Sequence, residues 1–296
     1  MQRAVAFYSN GVRLTGYLHV GELGSRAGQR PGIVVCTGFG AVQAFYLPEI
    51  CEALAAAGYV ALRFDYRGFG ESDGTPGRLI PLEHVEDIRN AMTCLQQQPE
   101  VEPARIGLYG TSFGGAHVSY TAGIDTRAAC TVSTVGIGDG GRWMRSLRRY
   151  WEWQAFQRRI AEHRAQRVMT GTSTQVSPYE IMVRDPYTEA VHAERQRQFP
   201  GSVSDVSFDS AEAIVEYSPE SVVDRIAPRA ILWIHSGNDE LVPPEESEAM
   251  YARACEPKRL VVLPGLTHYD VYTGAGFAAV MRETIAWYEQ FLPAIP

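Results

Sequence analysis

Leu108-Tyr109-Gly110-Thr111-Ser112-Phe113-Gly114-Gly115 is the stretch from which the rest of the chain is read. It contains Gly-x-Ser-x-Gly between Gly110 and Gly114. A β-strand is expected to run into it over Arg105 to Tyr109, and a helix to leave it from Ala116 to about Ile124. A serine raised on a sharp strand-to-helix turn has a strained backbone, and strand and helix approach closely on either side of it. Glycines at 110 and 114 remove the Cβ atoms that would collide there. The pentapeptide alone occurs in many unrelated chains. Strand before and helix after it make Ser112 a candidate nucleophile.

Working outward, strands and helices alternate. Ala4 to Tyr8 and Arg13 to Val20 read as two strands joined by the hairpin signal Ser9-Asn10-Gly11. A polar loop over 21–30 leads to the short buried strand Ile33-Val34-Val35-Cys36, which ends in Thr37-Gly38-Phe39-Gly40. A helix is expected from about Gln43 to Ala57, stopped by Gly58, then a strand from Tyr59 to Phe64 and a helix from Leu82 to Gln97. After the serine strand come strands at Ala128 to Val135, Ala230 to His235 and Leu260 to Leu263, and a closing helix over about Phe277 to Phe291. The alternation predicts an α/β protein with a mostly parallel sheet of about eight strands covered on both faces. Residues 136–229 break it. They hold helical patterns at 142–168 and 188–198 and no convincing buried strand, as expected of a helical cap inserted into a core formed by 1–135 and 230–296.

Composition excludes several classes. The chain has 296 residues, 45% hydrophobic and 21% charged, and a formal charge of -7; a nucleic-acid-binding surface would normally be basic. Five cysteines (Cys36, Cys51, Cys94, Cys130, Cys255) are odd in number and lack CxxC spacing, against zinc or a disulfide framework. No apolar run has the length of a signal peptide or a membrane span, so no membrane partner and a cytoplasmic location are expected.

A serine hydroxyl needs a base, and the base an orienting acid. Of seven histidines, His268 in Pro264-Gly265-Leu266-Thr267-His268-Tyr269 follows the last strand and so lies at the same carboxyl edge of the sheet as Ser112. His235, at a strand end, reads as structural. His84, His163 and His192 lie in polar helical stretches and read as surface residues, and His117 sits on the helix after Ser112. Asp239, in Gly237-Asn238-Asp239-Glu240, is the candidate acid, with Glu240 its rival; Asp270 is too near His268 in sequence. The order Ser112, Asp239, His268 brings three separate loops to one edge. Acyl transfer also needs fixed N–H donors for the oxyanion, and the backbone of Phe113 and of Phe39 is placed to supply them.

With these residues in place the sequence resembles the α/β-hydrolase superfamily over essentially the whole chain outside the cap. The resemblance rests on the Gly110–Gly114 elbow, the Gly38-Phe39-Gly40 loop, the turn Asp65-Tyr66-Arg67-Gly68-Phe69-Gly70-Glu71-Ser72, and the acid and base loops. It is nearest to the dienelactone-hydrolase and peptidase-like esterase branch. It implies the α/β-hydrolase fold, nucleophile Ser112, acid Asp239, base His268, oxyanion donors Phe39 and Phe113, and no metal or organic cofactor. Where many relatives have His-Gly this chain has Thr37-Gly38. The 65–72 turn is a structural signature in relatives.

The cap is rich in aromatics and arginine: Trp143, Tyr150, Trp151, Trp153 and Phe156 beside Arg142, Arg145, Arg148, Arg149, Arg158 and Arg159. The favoured expectation is an apolar stripe (Trp143, Leu147, Tyr150, Trp151) packed on the body under a solvated basic face; the sharper one is an arginine meeting a substrate carboxylate or phosphate. Trp143, Tyr150 and Tyr269 are the candidate substrate-binding residues, and exposed tryptophans would also suit a homodimer. The expected function is hydrolysis of a carboxylic ester with an apolar acyl or aryl part. Amide, peptide, thioester, lactone and C–C hydrolysis, or acyl transfer, remain open to the same constellation, as does non-catalytic ligand binding.

Overall fold

A computed structural model of the chain describes residues 1–21, 28–198 and 205–294. Most of the polar loop expected over 21–30 and the side chain of His192 lie outside the described residues. Strands β1 (Gln2–Ser9) and β2 (Val12–Val20) form an antiparallel hairpin turned by Asn10 and Gly11, both at positive φ (49° and 83°), the conformation an Asn-Gly turn favours. Then come β3 (Arg30–Cys36), α1 (Leu47–Ala56), β4 (Val60–Phe64), α2 (Pro81–Gln96), β5 (Val101–Thr111), α3 (Phe113–Ile124) and β6 (Ala128–Thr134). A helical stretch follows: α4 (Gly140–Ser146), α5 (Tyr150–Thr170), β7 (Gln175–Val176), α6 (Pro178–Ile181), α7 (Pro186–Gln198), β8 (Val206–Ser207) and α8 (Asp209–Val215). The chain closes with β9 (Ala230–Ser236), α9 (Glu245–Arg253), β10 (Lys258–Leu263) and α10 (Gly274–Phe291).

The eight-stranded sheet has the order β1-β2-β4-β3-β5-β6-β9-β10 and is parallel except where β2 meets β1 and β4. β4 and β9 are buried at every residue, because helices cover both faces: α1 packs on α10, and α2 on α3. Neighbouring strands β3 and β5 send their connections in opposite directions, β3 through α1 to β4 and β5 through α3 to β6. The loops after these two strands therefore part at the carboxyl edge and leave a crevice between them, the place where open α/β sheets bind ligands. Gly38 and Phe39 follow β3, and Ser112 follows β5.

Four local expectations need correction. Helix α1 starts at Leu47 rather than Gln43, because the Gln43 backbone and side chain are held by Asp65 and Tyr46 sits at φ 54°. The single helix expected over 142–168 is two, α4 and α5. Arg149 caps α5, its N–H donating to Glu152 Oε2 at 2.7 Å, while the preceding Arg148 turns inward. β7 and β8 pair where no strand was expected; at two residues each they are too short to carry a period. Finally, the apolar stripe does not all pack on the body: Trp143 is buried, but Tyr150 and Trp151 are 69% and 63% exposed.

Candidate active site

Ser112 stands between β5 and α3 at φ 56°, ψ -123°. A non-glycine residue there is strained by on the order of 1–3 kcal/mol, and the surroundings hold it in place. A Cβ at Gly114 would meet the carbonyl oxygens of Thr37 and Cys36 at 2.4 and 2.5 Å. The β3 loop thus presses against the first turn of α3. A Cβ at Gly38 would lie 3.0 Å from that of Ser112, so the Gly38–Phe39 peptide runs beside the serine.

His268, in the loop after β10, is 4% exposed. Its Nε2 is 3.1 Å from Ser112 Oγ and its Nδ1 is 2.7 Å from Asp239 Oδ2. A carboxylate only accepts, so Nδ1–H donates to Asp239 and leaves Nε2 to receive the serine proton. Asp239 Oδ1 accepts from the N–H groups of Leu241 (3.0 Å) and Val242 (2.8 Å), which fixes the carboxylate plane. Glu240 and Asp270 do not take its place: Asp270 caps its own turn, accepting from the Thr267 N–H and Oγ–H at 2.7 Å each. Phe113 opens α3, whose first N–H groups have no partner within the helix. Together these groups can deprotonate a hydroxyl and present N–H donors beside it.

Two of the three histidines expected at the surface are not there. His84 and His163 are buried; His84 stacks on Tyr66 at 4.2 Å, and His163 Nε2 accepts from the Thr174 N–H at 2.9 Å. His117 packs edge-on against Phe113, with burial pushing its imidazole down to about 3. Helical stretches that read as polar overall hide these residues on an inner face, which composition cannot reveal. His235 is fully buried; its Nε2–H donates to Val242 O (2.8 Å), and Nδ1 accepts from Ser247 (2.6 Å). It lies 3.7 Å from Asp239, but burial holds it neutral, so it braces the acid loop rather than pairing with the acid.

The 65–72 turn also bears on the site. Buried Asp65 accepts from the Gln43 N–H (2.7 Å) and from Gln43 Nε2 (3.1 Å), and Arg63 holds Gln43 Oε1 at 3.1 Å. Through Gln43 that turn anchors the loop that carries Phe39.

The space beside Ser112 is a cavity of ≈ 40 Å³, and its walls hold no Asp, Glu, Lys or Arg. Tyr269 lines it, with its ring centroid 5.2 Å from that of His268. Tyr46 and Tyr272, which sequence reasoning missed, line it as a stacked pair 4.5 Å apart, and the Thr111 hydroxyl donates to Tyr272 at 2.6 Å. Trp143 sits behind the wall against Phe39 and Phe113, its indole N–H donating to Leu241 O. Tyr150 is not brought to the site. Among the described residues no arginine between 136 and 229 lines the cavity: Arg142 pairs with Glu246 and Glu220, and Arg159 with Glu180. A larger cleft of ≈ 740 Å³ beside α5 and α8 shares no lining residue with the cavity, and its arginines are paired with Asp209, Glu212 and Glu83. Among the described residues no group of three or more His, Cys, Asp or Glu side chains could hold a metal ion, and no helix is long and apolar enough to cross a membrane.

Comparison with known proteins shows the family. The serine aminopeptidase S33 family matches residues 28–269. An uncharacterized 31.7 kDa protein from the traX-finO intergenic region of Escherichia coli is 31% identical over 96% of this chain and 97% of its own length. The thiohydrolase aneE of Aspergillus aculeatus is 25% identical over 96% of this chain and 91% of its own. Among solved structures, the α/β hydrolase GrgF from Penicillium sp. sh18 superposes with a TM-score of 0.82 at 21% identity, covering 99% of both chains.

Proposed function

From the premise that the chain belongs to the serine aminopeptidase S33 family of α/β hydrolases, we propose that it is a serine hydrolase that cleaves a carboxylic ester, or the corresponding thioester, through an acyl-enzyme on Ser112. The observation that carries this is the continuous line from Ser112 Oγ through His268 (3.1 Å) to Asp239 (2.7 Å). In the proposed reaction Ser112 Oγ attacks the acyl carbonyl carbon as His268 Nε2 takes its proton. The negative charge on the carbonyl oxygen is met by the N–H groups of Phe113 and Phe39. The proton then passes from Nε2 to the departing alcohol or thiol, and water, deprotonated by the same nitrogen, releases the acid. Asp239 keeps the imidazole in the tautomer that this needs.

The uncharged, aromatic wall favours a neutral acyl or aryl group beside Ser112. A thioester stands with an ester because a relative spanning nearly the whole chain is a thiohydrolase. The test is intact-mass analysis after a fluorophosphonate probe, on wild type and Ser112→Ala. One adduct on wild type and none on the variant is expected, followed by turnover of simple esters or thioesters. A folded wild type that takes no adduct and turns over neither class would sink the proposal.

A further inference from the structure

One side chain from the segment between β6 and β9 joins the wall of the cavity beside Ser112. Among the described residues Met182 is the only one of 136–229 that lines the cavity, the rest of whose wall comes from the end of β5 and the loops that follow β3, β5, β9 and β10. It is 4% exposed and follows directly on α6. With Met182 in place the cavity is ≈ 40 Å³, room for about one small group.

The end of α6, just before Met182, is held by a buried arginine. Arg148 is 8% exposed and has no carboxylate partner among the described residues. Its Nη1 donates to Met144 O (3.0 Å) and its Nη2 to Glu180 O (3.0 Å) and Ile181 O (2.6 Å), while the guanidinium lies 3.8 Å from the Phe156 ring centre. Burial pushes its pKa down to about 10, with Glu152 only partly opposing. A buried cation without a counter-charge is costly. Here its donors go to the last carbonyls of α6, the electronegative end of a short helix, immediately before Met182. Ser177 caps the other end of α6, and Arg159 ties Glu180 to α5 at 2.7 Å.

We propose that Met182, pinned by the Arg148 clamp, is the wall that limits the size of the substrate group above Ser112, so that the protein selects esters or thioesters with a short, uncharged group at that position. This rests on the Ser112 reading above. Met182 is then a specificity-determining residue and Arg148 a positioning residue that acts through it. A thioether at a pocket wall discriminates by a methylene at a time, and each methylene refused in an apolar pocket is worth roughly 10–200-fold in kcat/KM.

The experiment compares wild type, Met182→Ala and Arg148→Lys on p-nitrophenyl esters from acetyl to octanoyl, and on acetate esters of alcohols of the same lengths. A separate aliquot of each protein is labelled with a small fluorophosphonate, and the kinetics are read on the unlabelled remainder. Wild type should favour the shortest member of at least one series. In Met182→Ala the octanoyl-to-acetyl ratio of kcat/KM, or its counterpart in the alcohol series, should rise at least tenfold. Arg148→Lys, which keeps the charge but loses the fork that spans two carbonyls, should move the same ratio in the same direction, through KM for the long substrate rather than kcat for the short one. Broadening in the acyl series places the acyl group under Met182; broadening in the alcohol series places the leaving group there. If labelling is intact and both ratios stay flat, or all lengths speed up equally as for a gate, Met182 is not the wall and this inference alone falls. If wild type takes no label and cleaves nothing, the Ser112 reading falls and takes this inference with it.

Discussion

Ser112 hangs from β5, a strand whose last six residues are buried, and glycines pack its turn against the end of β3. Met182 hangs from a four-residue helix beside α5, which buries only Phe156 and His163 out of twenty-one residues. The two meet across one small cavity yet are held in different ways. The serine side is fixed by backbone against backbone, where a single added carbon collides. The Met182 side is fixed by long side chains, Arg148 and Arg159, reaching over a thinly packed segment. The two sides therefore differ in how far each can yield to an added or removed side-chain atom. The difference also sets where substitutions should hurt.

The largest effect belongs to the serine. Ser112→Ala should lower kcat/KM for any cleaved ester by about 10⁴-fold or more, since nucleophile and base act as a unit. Initial rates on one ester, with folding checked by circular dichroism, decide it. A variant that keeps a tenth of wild-type activity would mean that the reacting group lies elsewhere and that the comparison starts from the wrong place.

Next comes a pair of glycines, one from each region. Gly114→Ala puts a Cβ 2.4 Å from Thr37 O, against backbone that cannot retreat without moving β3, and should cost ~3 kcal/mol or more of stability. Gly171, which ends α5 at φ 72°, has nothing within 4 Å of its missing Cβ, so Gly171→Ala meets only the left-handed backbone cost of roughly 1–2 kcal/mol. Urea midpoints on both variants measure the contrast. Equal losses would erase it.

How much of this was legible in the sequence follows the same division. Strands buried on both sides read as short apolar runs, glycines mark the turns between them, and the carboxyl edge then gathers the loops of Ser112, Asp239 and His268. The segment 136–229 offered no such code. Its helix was placed without the break at Leu147–Arg149, since Arg148 looks like any surface arginine until its carbonyl partners on α6 are seen, thirty-odd residues away in sequence. Met182, Tyr46 and Tyr272 carry no motif at all: each reaches the cavity through tertiary packing. His84 and His163 lie inside because a helix that is polar on average can still turn a histidine inward, His84 on the buried face of α2 and His163, with Phe156, as one of the two buried residues of α5.

The buried histidines of the body give the third test. His117 titrates at about 3 when folded, pushed down by burial, against 6.5 when exposed. Below pH 6.5 the unfolded chain takes up a proton that the folded chain refuses. This stability is therefore whole above pH 6.5 and is lost as pH falls from there toward 3, at about 1.4 kcal/mol per pH unit. Between pH 7 and pH 5, wild type should lose about 2 kcal/mol more than His117→Phe, which keeps a ring against Phe113 and Tyr66 but cannot take up the proton. Urea titrations at the two pH values measure it. Parallel losses would show that His117 is wetted, and the body less tightly sealed than the packing around Ser112 implies.

The smallest effect is expected at Tyr150, which the sequence put forward as a substrate contact. Its ring is 69% exposed at the start of α5, within 5.8 Å of the Arg145 guanidinium, and it lines no part of the cavity beside Ser112. Tyr150→Ala should shift stability by no more than ~0.5 kcal/mol, as surface substitutions away from packed features do. It should also leave kcat/KM for short esters within about twofold, since it removes no group that touches the reacting atoms. Steady-state kinetics across the ester series used for Met182 is the measurement. A selective loss on the longest substrates would carry the most information. It would mean that a large substrate group passes Met182 and runs along the exposed start of α5, and that the wall above Ser112 yields in the direction where its packing is thinnest.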